Sequence, residues 1–261
     1  MKISLLKKPK EEQLLYNTVM YGVDTVLDWY PTDDEETFNT QSEHFKKYWN
    51  EQKKITYSLN SYGHREVEIS LKEDRESVMC LGCSNTFGIG HHVDDIWPTI
   101  VSNNIGLKRI NLGVAASSLD TAFRIYSSWQ PIIKSKMTCV FIPPPFRYEL
   151  GGYAHLGNWT AEKFLKENKV ESAHFYTNYL ANDTYFELNK SKNLLAMRKI
   201  AEETNSKIYF VEYNETTQTV PDANHNLMRM FFSEKARDGA HRGRVWQAKV
   251  ASYFMNQINE T

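Results

Sequence analysis

Apolar and polar positions follow two rhythms along this chain, and the change between them divides it. Up to about residue 54 the rhythm is helical. Leu14, Leu15, Val19, Val23 and Val26 recur at roughly one helical turn, and Trp29-Tyr30-Pro31 ends the run. The acidic run Asp33-Asp34-Glu35-Glu36 then opens a second helix carrying Phe38, Phe45, Tyr48 and Trp49; acids complement a helix start, so this run reads as a solvated first turn. Ile55-Thr56-Tyr57-Ser58-Leu59 alternates, turns at Asn60-Ser61-Tyr62-Gly63 and resumes at Val67-Glu68-Ile69, which predicts a hairpin or a pair of strands leading into the core.

From Val78 the rhythm becomes strand, loop, helix. Val78–Leu81 is a short apolar run broken by Gly82. Asp94-Asp95 precede a helix through Ile96, Trp97, Ile100 and Val101, with Pro98 tolerated in its first turn. Arg109–Leu112 is a second strand ending at Gly113, and Ser117 or Ser118 caps a helix with Leu119, Ala122, Phe123 and Tyr126 on its apolar face. Met137–Ile142 is a continuous apolar strand stopped by Pro143-Pro144-Pro145. Residues 146–183 are aromatic and irregular, the pattern of an inserted loop or lid. A helix through Leu194, Leu195, Met197, Ile200 and Ala201, a strand Ile208–Val211 and a last helix with Trp246, Val250, Tyr253, Phe254 and Ile258 complete the chain. Strands alternating with helices predict a parallel sheet covered on both faces, with its site beyond the carboxyl ends of the strands.

Composition narrows the class. A net charge of -1 gives no field that would draw nucleic acid or an anionic membrane. Aromatics at 13% argue against disorder. The N-terminus lacks the apolar run of a signal peptide and no later run has bilayer length, while 3 cysteines suit a reduced compartment; a cytoplasmic protein is expected.

The candidate chemistry starts at Ser84, presented just after a strand and a glycine. Such a turn frees a hydroxyl from the ladder and leaves its N–H for a developing anion. A serine needs a base, and the base an orienting carboxylate. Of 8 histidines, two follow an acid by three residues: His225 after Asp222, and His241 after Asp238. The second pair lies in a glycine-containing turn that opens the last helix, and a rigid element positions a site better than a polar loop. The plain reading of Asp238 is a helix cap. Cys80-Leu81-Gly82-Cys83 has redox or metal spacing, but Cys80 falls inside an apolar strand and no second pair completes a zinc site. His91-His92-Val93-Asp94-Asp95 is a denser metal-like cluster whose adjacent histidines diverge.

Gly82-Cys83-Ser84-Asn85-Thr86-Phe87-Gly88 resembles the first block of the SGNH (GDSL-like) hydrolase family, Gly-Asp-Ser-x-Thr-x-Gly. Asn111-Leu112-Gly113-Val114-Ala115-Ala116-Ser117 resembles the second block, and Asp238-Gly239-Ala240-His241 the fifth, Asp-x-x-His. Their order and spacing agree over residues 78–255. Cys83 replaces the family's acid, and the third block, Gly-x-Asn-Asp, is replaced by Ile142-Pro143-Pro144-Pro145-Phe146-Arg147. The resemblance implies a three-layer α/β/α flavodoxin-like parallel sheet, a nucleophile Ser84, a base His241 oriented by Asp238, and an oxyanion hole from the N–H groups of Ser84 and Gly113. Prolines donate no N–H, so the missing asparagine would be replaced by Arg147, unless Arg147 pairs with Glu149, or by Asn158, Asn178 or Asn182 from the insert.

The expectation is a core over 71–261 with an insert at about 146–183, preceded by an N-terminal α+β extension over 1–70. The expected activity is serine esterase: hydrolysis of an O-acyl, most simply O-acetyl, ester without metal or cofactor. A carbohydrate ester is the preferred substrate, since Tyr148, Tyr153, Trp159, Phe175, Tyr176 and Tyr179 offer aromatic faces to sugar rings; packing of the insert against the core is the plainer explanation of the same residues. An O-acyltransferase using the same triad and a catalytically silent glycan-binding module are the alternatives.

Overall fold

A computed structural model describes residues 14–17, 22–150, 154–157, 159–212 and 234–260. The N-terminal segment carries β1 (Thr25–Leu27), α1 (Glu35–Asn39), α2 (Glu43–Asn50) and β2 (Tyr57–Leu59). The core begins with β3 (Ser77–Leu81), α3 (Ser84–Phe87), α4 (Trp97–Ile105), β4 (Lys108–Asn111), α5 (Leu119–Ile133) and β5 (Met137–Ile142). An insert follows with β6 (Tyr148–Leu150), β7 (Ala154–Leu156), α6 (Trp159–Lys166) and α7 (Val170–Phe175). The chain returns through α8 (Asp183–Glu203), β8 (Lys207–Glu212) and α9 (Arg244–Asn259).

β3, β4, β5 and β8 form a parallel sheet in the order β4-β3-β5-β8. Side chains alternate across a strand, and here both sets are apolar, so each face demands a cover. Met79, Leu81, Val140 and Ile142 meet Ile125, Trp129 and Ile133 of α5 and Met197 of α8. Val78, Cys80, Cys139 and Phe141 meet Trp97 and Val101 of α4 and Trp246, Val250 and Phe254 of α9. The result is the three-layer α/β/α arrangement with flavodoxin-like strand order. Because β4 and β5 leave β3 in opposite directions, a crevice opens beyond the carboxyl ends of β3 and β5.

Several expected elements differ. Val26 lies in a strand rather than a helix, while Val19 falls outside the described residues. Thr25–Leu27 pairs antiparallel with Tyr57–Leu59, so the hairpin expected between residues 55 and 69 does not form. The turn after it closes on itself instead, with Asn60 Oδ1 accepting from the N–H groups of Tyr62 and His64, each at 3.0 Å. Asp94 and Asp95 make a separate 3-10 turn, and Ile96 takes the N-cap of α4 with Pro98 in its first turn. Ser118, not Ser117, caps α5, in a reciprocal box with Thr121. The insert is largely helical, ending in a π turn at Tyr176–Leu180.

The N-terminal segment packs as a third apolar cluster. Tyr30, Phe38, Phe45, Trp49, Ile55, Tyr57 and Leu59 close over Phe87, Ile89 and Ala115 of the core. No helix among the described residues is long and apolar enough to cross a membrane.

Candidate active site

β3 ends at Leu81, and two residues later Cys83 takes the N-cap of the single-turn α3, which places Ser84 at the crevice. Ser84 Oγ lies 2.9 Å from His241 Nε2. His241 Nδ1 is hydrogen-bonded in turn to Asp238 Oδ2. The other carboxylate oxygen, Oδ1, accepts the N–H groups of Ala240 at 3.0 Å and His241 at 2.9 Å, so the turn itself holds the acid in place.

The Asp238 side chain is wholly buried, whereas that of His241 is 20% exposed. Burial pushes the Asp238 carboxyl up; the hydrogen bond and charge of His241, with the two N–H groups, outweigh it and hold the carboxyl below its usual range. An ionised Asp238 can only accept, which puts a proton on Nδ1 and leaves Nε2 to accept from the Ser84 hydroxyl.

A cavity of about 430 Å³ opens over this chain of bonds, lined by Tyr30, Pro31, Thr32, Ala115, Ala116, Arg147 and Trp159 around Ser84 and His241. The oxyanion donors differ from the expectation. The N–H of Gly113 donates to Asn111 Oδ1 at 3.0 Å and is not available to a substrate. Gly113 is glycine for another reason: a Cβ there would stand 2.4 Å from the Phe87 nitrogen, so its bareness lets β4's exit pack behind α3. Ala116, three residues on, lines the cavity with φ at 57°. A non-glycine residue in that region is strained, and its N–H, like that of Ser84, donates to no group among the described residues.

Arg147 does not pair with Glu149, which takes Arg124 at 2.6 Å. Its guanidinium sits over the Trp159 ring, 5.2 Å from the centroid, and Nη1 is buried without a hydrogen-bond partner. Among the other expected donors, Asn182 caps α8 by accepting from the N–H groups of Thr184 and Tyr185, and Asn178 is exposed on the π turn. Asn158 lies outside the described residues, as do Tyr153, Asp222 and His225.

The rival clusters have other partners. Cys80 and Cys139 face each other across the β3–β5 ladder, and burial pushes both thiols up, keeping them neutral. The His91 ring bonds to the Arg242 carbonyl at 2.8 Å, and His92 Nδ1 accepts the Asp94 N–H at 3.2 Å. No group of three or more potential metal ligands assembles among the described residues. Of the insert's aromatics, Tyr148 and Tyr176 are buried and donate to the carbonyls of Leu180 and Phe146, while Trp159, Phe175 and Tyr179 stay exposed.

Sequence reasoning missed three contributors. Tyr30-Pro31-Thr32 forms a wall of the cavity, Ala116 presents the free N–H, and Asp33 is fully buried rather than solvated. Asp34 alone does the capping, accepting the Thr37 N–H at 2.7 Å.

No family model matches the chain, and no curated protein does. Solved structures similar to it include a lipolytic protein of the G-D-S-L family and several esterases. One is a lipolytic G-D-S-L protein from Desulfitobacterium hafniense, at 14% identity and a TM-score of 0.35, covering 69% of this chain and 98% of that one. A psychrotrophic esterase from Pseudoalteromonas is 12% identical at a TM-score of 0.35, covering 72% of this chain and 98% of its own. An acetylxylan esterase from Geobacillus stearothermophilus is 15% identical at 0.34, covering 72% and 96%. Likeness of that size carries no argument about chemistry, which has to come from the side chains.

Proposed function

We propose that the protein is a serine esterase acting on O-acyl esters, most simply O-acetyl esters of carbohydrates. The observation that carries this is the unbroken line from Ser84 Oγ through both nitrogens of His241 to a buried Asp238, at the mouth of a cavity large enough for a small ester. His241 takes the Ser84 proton as Oγ attacks the acyl carbonyl. The same imidazole then gives that proton to the leaving alcohol oxygen, and an acyl-serine remains. Water enters next and attacks the acyl carbon as His241 takes its proton; His241 then gives that proton to Ser84 Oγ as the acid is released and the serine is restored. Asp238 keeps the tautomer and carries the imidazolium's counter-charge.

The N–H groups of Ser84 and Ala116 meet the oxyanion, and the Arg147 guanidinium supplies the third donor. A charged donor is a stronger partner for an anion than an amide would be. Trp159, 40% exposed at the cavity wall, is the aromatic face offered to a sugar ring.

Labelling with a serine-directed fluorophosphonate tests the reading. Wild type is expected to label once, and Ser84→Ala and His241→Ala not at all. A wild type that stays unlabelled, and does not turn over p-nitrophenyl acetate, overturns it. An added sugar acceptor that makes acyl transfer exceed hydrolysis would reassign the enzyme as a transferase.

A further inference from the structure

Ser84 and His241 lie on loops far apart in sequence, and something has to hold them at bonding distance. The carbonyl of Gly90, shortly after Ser84, accepts the Arg237 N–H at 3.0 Å. The approach is so close that a Cβ on Gly90 would stand 2.9 Å from the Arg237 nitrogen and 3.2 Å from that of Asp238. The next residue, His91, adds a direct bond from its ring to the Arg242 carbonyl at 2.8 Å.

A second link runs through the N-terminal segment. Asp33, wholly buried, accepts Arg237 Nη2 at 2.5 Å and Nε at 3.0 Å, and the Tyr57 hydroxyl donates to the same carboxylate. Tyr57 Oη in turn accepts the Gly90 N–H at 2.8 Å. The Arg237 guanidinium lies 3.9 Å over the Trp29 ring, and its Nη2 also donates to the Asp28 carbonyl at 2.8 Å. Arg65, stacked on Tyr57 at 4.3 Å, donates to the carbonyls of Phe87, Gly88 and His91, the turn that follows Ser84. The main chain of Asp33 exchanges hydrogen bonds with Tyr30, closing the Pro31-Thr32 turn that faces the cavity.

We propose that Asp33 is a positioning residue for the esterase reaction: it ties the Ser84 turn, through Tyr57 and Gly90, to the Asp238–His241 turn, through Arg237, and so sets the distance from nucleophile to base. The N-terminal segment is thereby part of the active site. This rests on the serine esterase reading. Among the described residues Asp33 is the carboxylate bonded to both Tyr57 and Arg237, so its neutralisation removes the charge that joins them.

The experiment is fluorophosphonate labelling of the full chain, which separates the number of competent sites (amplitude) from their reactivity (rate constant). Asp33→Asn keeps the shape and removes the charge; its rate constant is expected to fall at least about tenfold, with kcat falling alike and KM for p-nitrophenyl acetate within about twofold. Tyr57→Phe keeps the ring and removes the hydroxyl that joins Asp33 to Gly90 while leaving the Asp33–Arg237 pair in place; a fall of about threefold is expected, which guards against an Asp33→Asn protein that does not fold. Lys54→Ala, which removes only an exposed bridge to Asp28, should match wild type. Lost amplitude with an unchanged rate constant in both variants is the signature of a merely structural role and overturns the proposal, as do wild-type rates. If wild type itself does not label, the esterase reading fails, and the clamp is judged by NMR titration of His241. A shift of at least about half a pH unit in Asp33→Asn then supports it, and no shift overturns it.

Discussion

The cavity has two walls of opposite construction. The N-terminal wall is tied by Tyr57 and Arg65 to the backbone of the turn after Ser84 and by Asp33 to the Arg237 side chain, and its aromatic rings are buried in a common cluster. The insert is fastened at its root, where Glu149 pairs with Arg124 and donates its N–H to Asp120 at 3.3 Å. Beyond that it bonds mostly to itself and leaves Phe175 and Tyr179 at 56% and 66% exposure. On the esterase reading, a wall anchored to the Ser84 and His241 turns would govern rate. A wall anchored to itself can change without disturbing them, and shapes what enters.

The sharpest way to break that division is Arg147, the point where the insert touches the chemistry. Arg147→Ala is expected to lower kcat about a hundredfold with KM little changed, because a lost oxyanion donor costs ~3 kcal/mol; steady-state kinetics on a small activated ester decides it. A loss confined to KM would make Arg147 a binding residue and return the whole insert to specificity.

Acid should loosen the N-terminal wall first. Burial pulls the rings of His64 and His91 down to about 4, opposed only in part by their bonds to the carbonyls of Leu15 and Arg242. In the unfolded chain both protonate near 6.5, so between these values the unfolded state binds more protons. Their contribution is complete above 6.5 and is lost as pH falls towards 4, on the order of 3 kcal/mol for each ring. Thermal melts should fall steeply over that window. Hydrogen exchange should open residues around Leu15 and Arg242 before α6 and α7; the reverse order would contradict the contrast.

Smaller effects sharpen it. Trp159→Ala should raise KM for an acetylated oligosaccharide about fivefold, while kcat/KM for p-nitrophenyl acetate stays within about twofold. Ala116→Gly relieves the positive φ and keeps the N–H, so a gain of about 0.5–1 kcal/mol in stability with an unchanged rate is expected from denaturant titration. A large fall in rate there would show that the methyl group itself shapes the cavity.

The sheet was legible because its two central strands are nearly continuous apolar runs, Val78–Leu81 and Met137–Ile142, and a fully buried parallel strand has few other signatures. Ser84, Asp238 and His241 were legible because each sits in a short local motif, and the structure brings all three together. Gly113 entered the oxyanion hole through the resemblance of Asn111–Ser117 to the family's second block, whereas here it is bare to fit Phe87; the residue in the left-handed conformation is an alanine, which carries no mark of it. Asp33 was hidden by its neighbours. In a run of four acids nothing local separates the one that meets Arg237 from the one that caps α1. The β1–β2 pairing is likewise a long-range choice between short strands, settled by burial of Tyr57 and Leu59.

The Asp33–Arg237 bond also has a consequence for how the chain is made. Its partners are 204 residues apart, and the Leu15 carbonyl is held by Trp129, 114 residues away. A nascent chain emerging from the ribosome would expose Trp29, Phe38, Phe45 and Trp49 long before Arg237 exists to seal them. Contacts so distant in sequence make for slow closure. Maturation should therefore run from the sheet outward, with the N-terminal segment docking last and the serine becoming competent only at that final step.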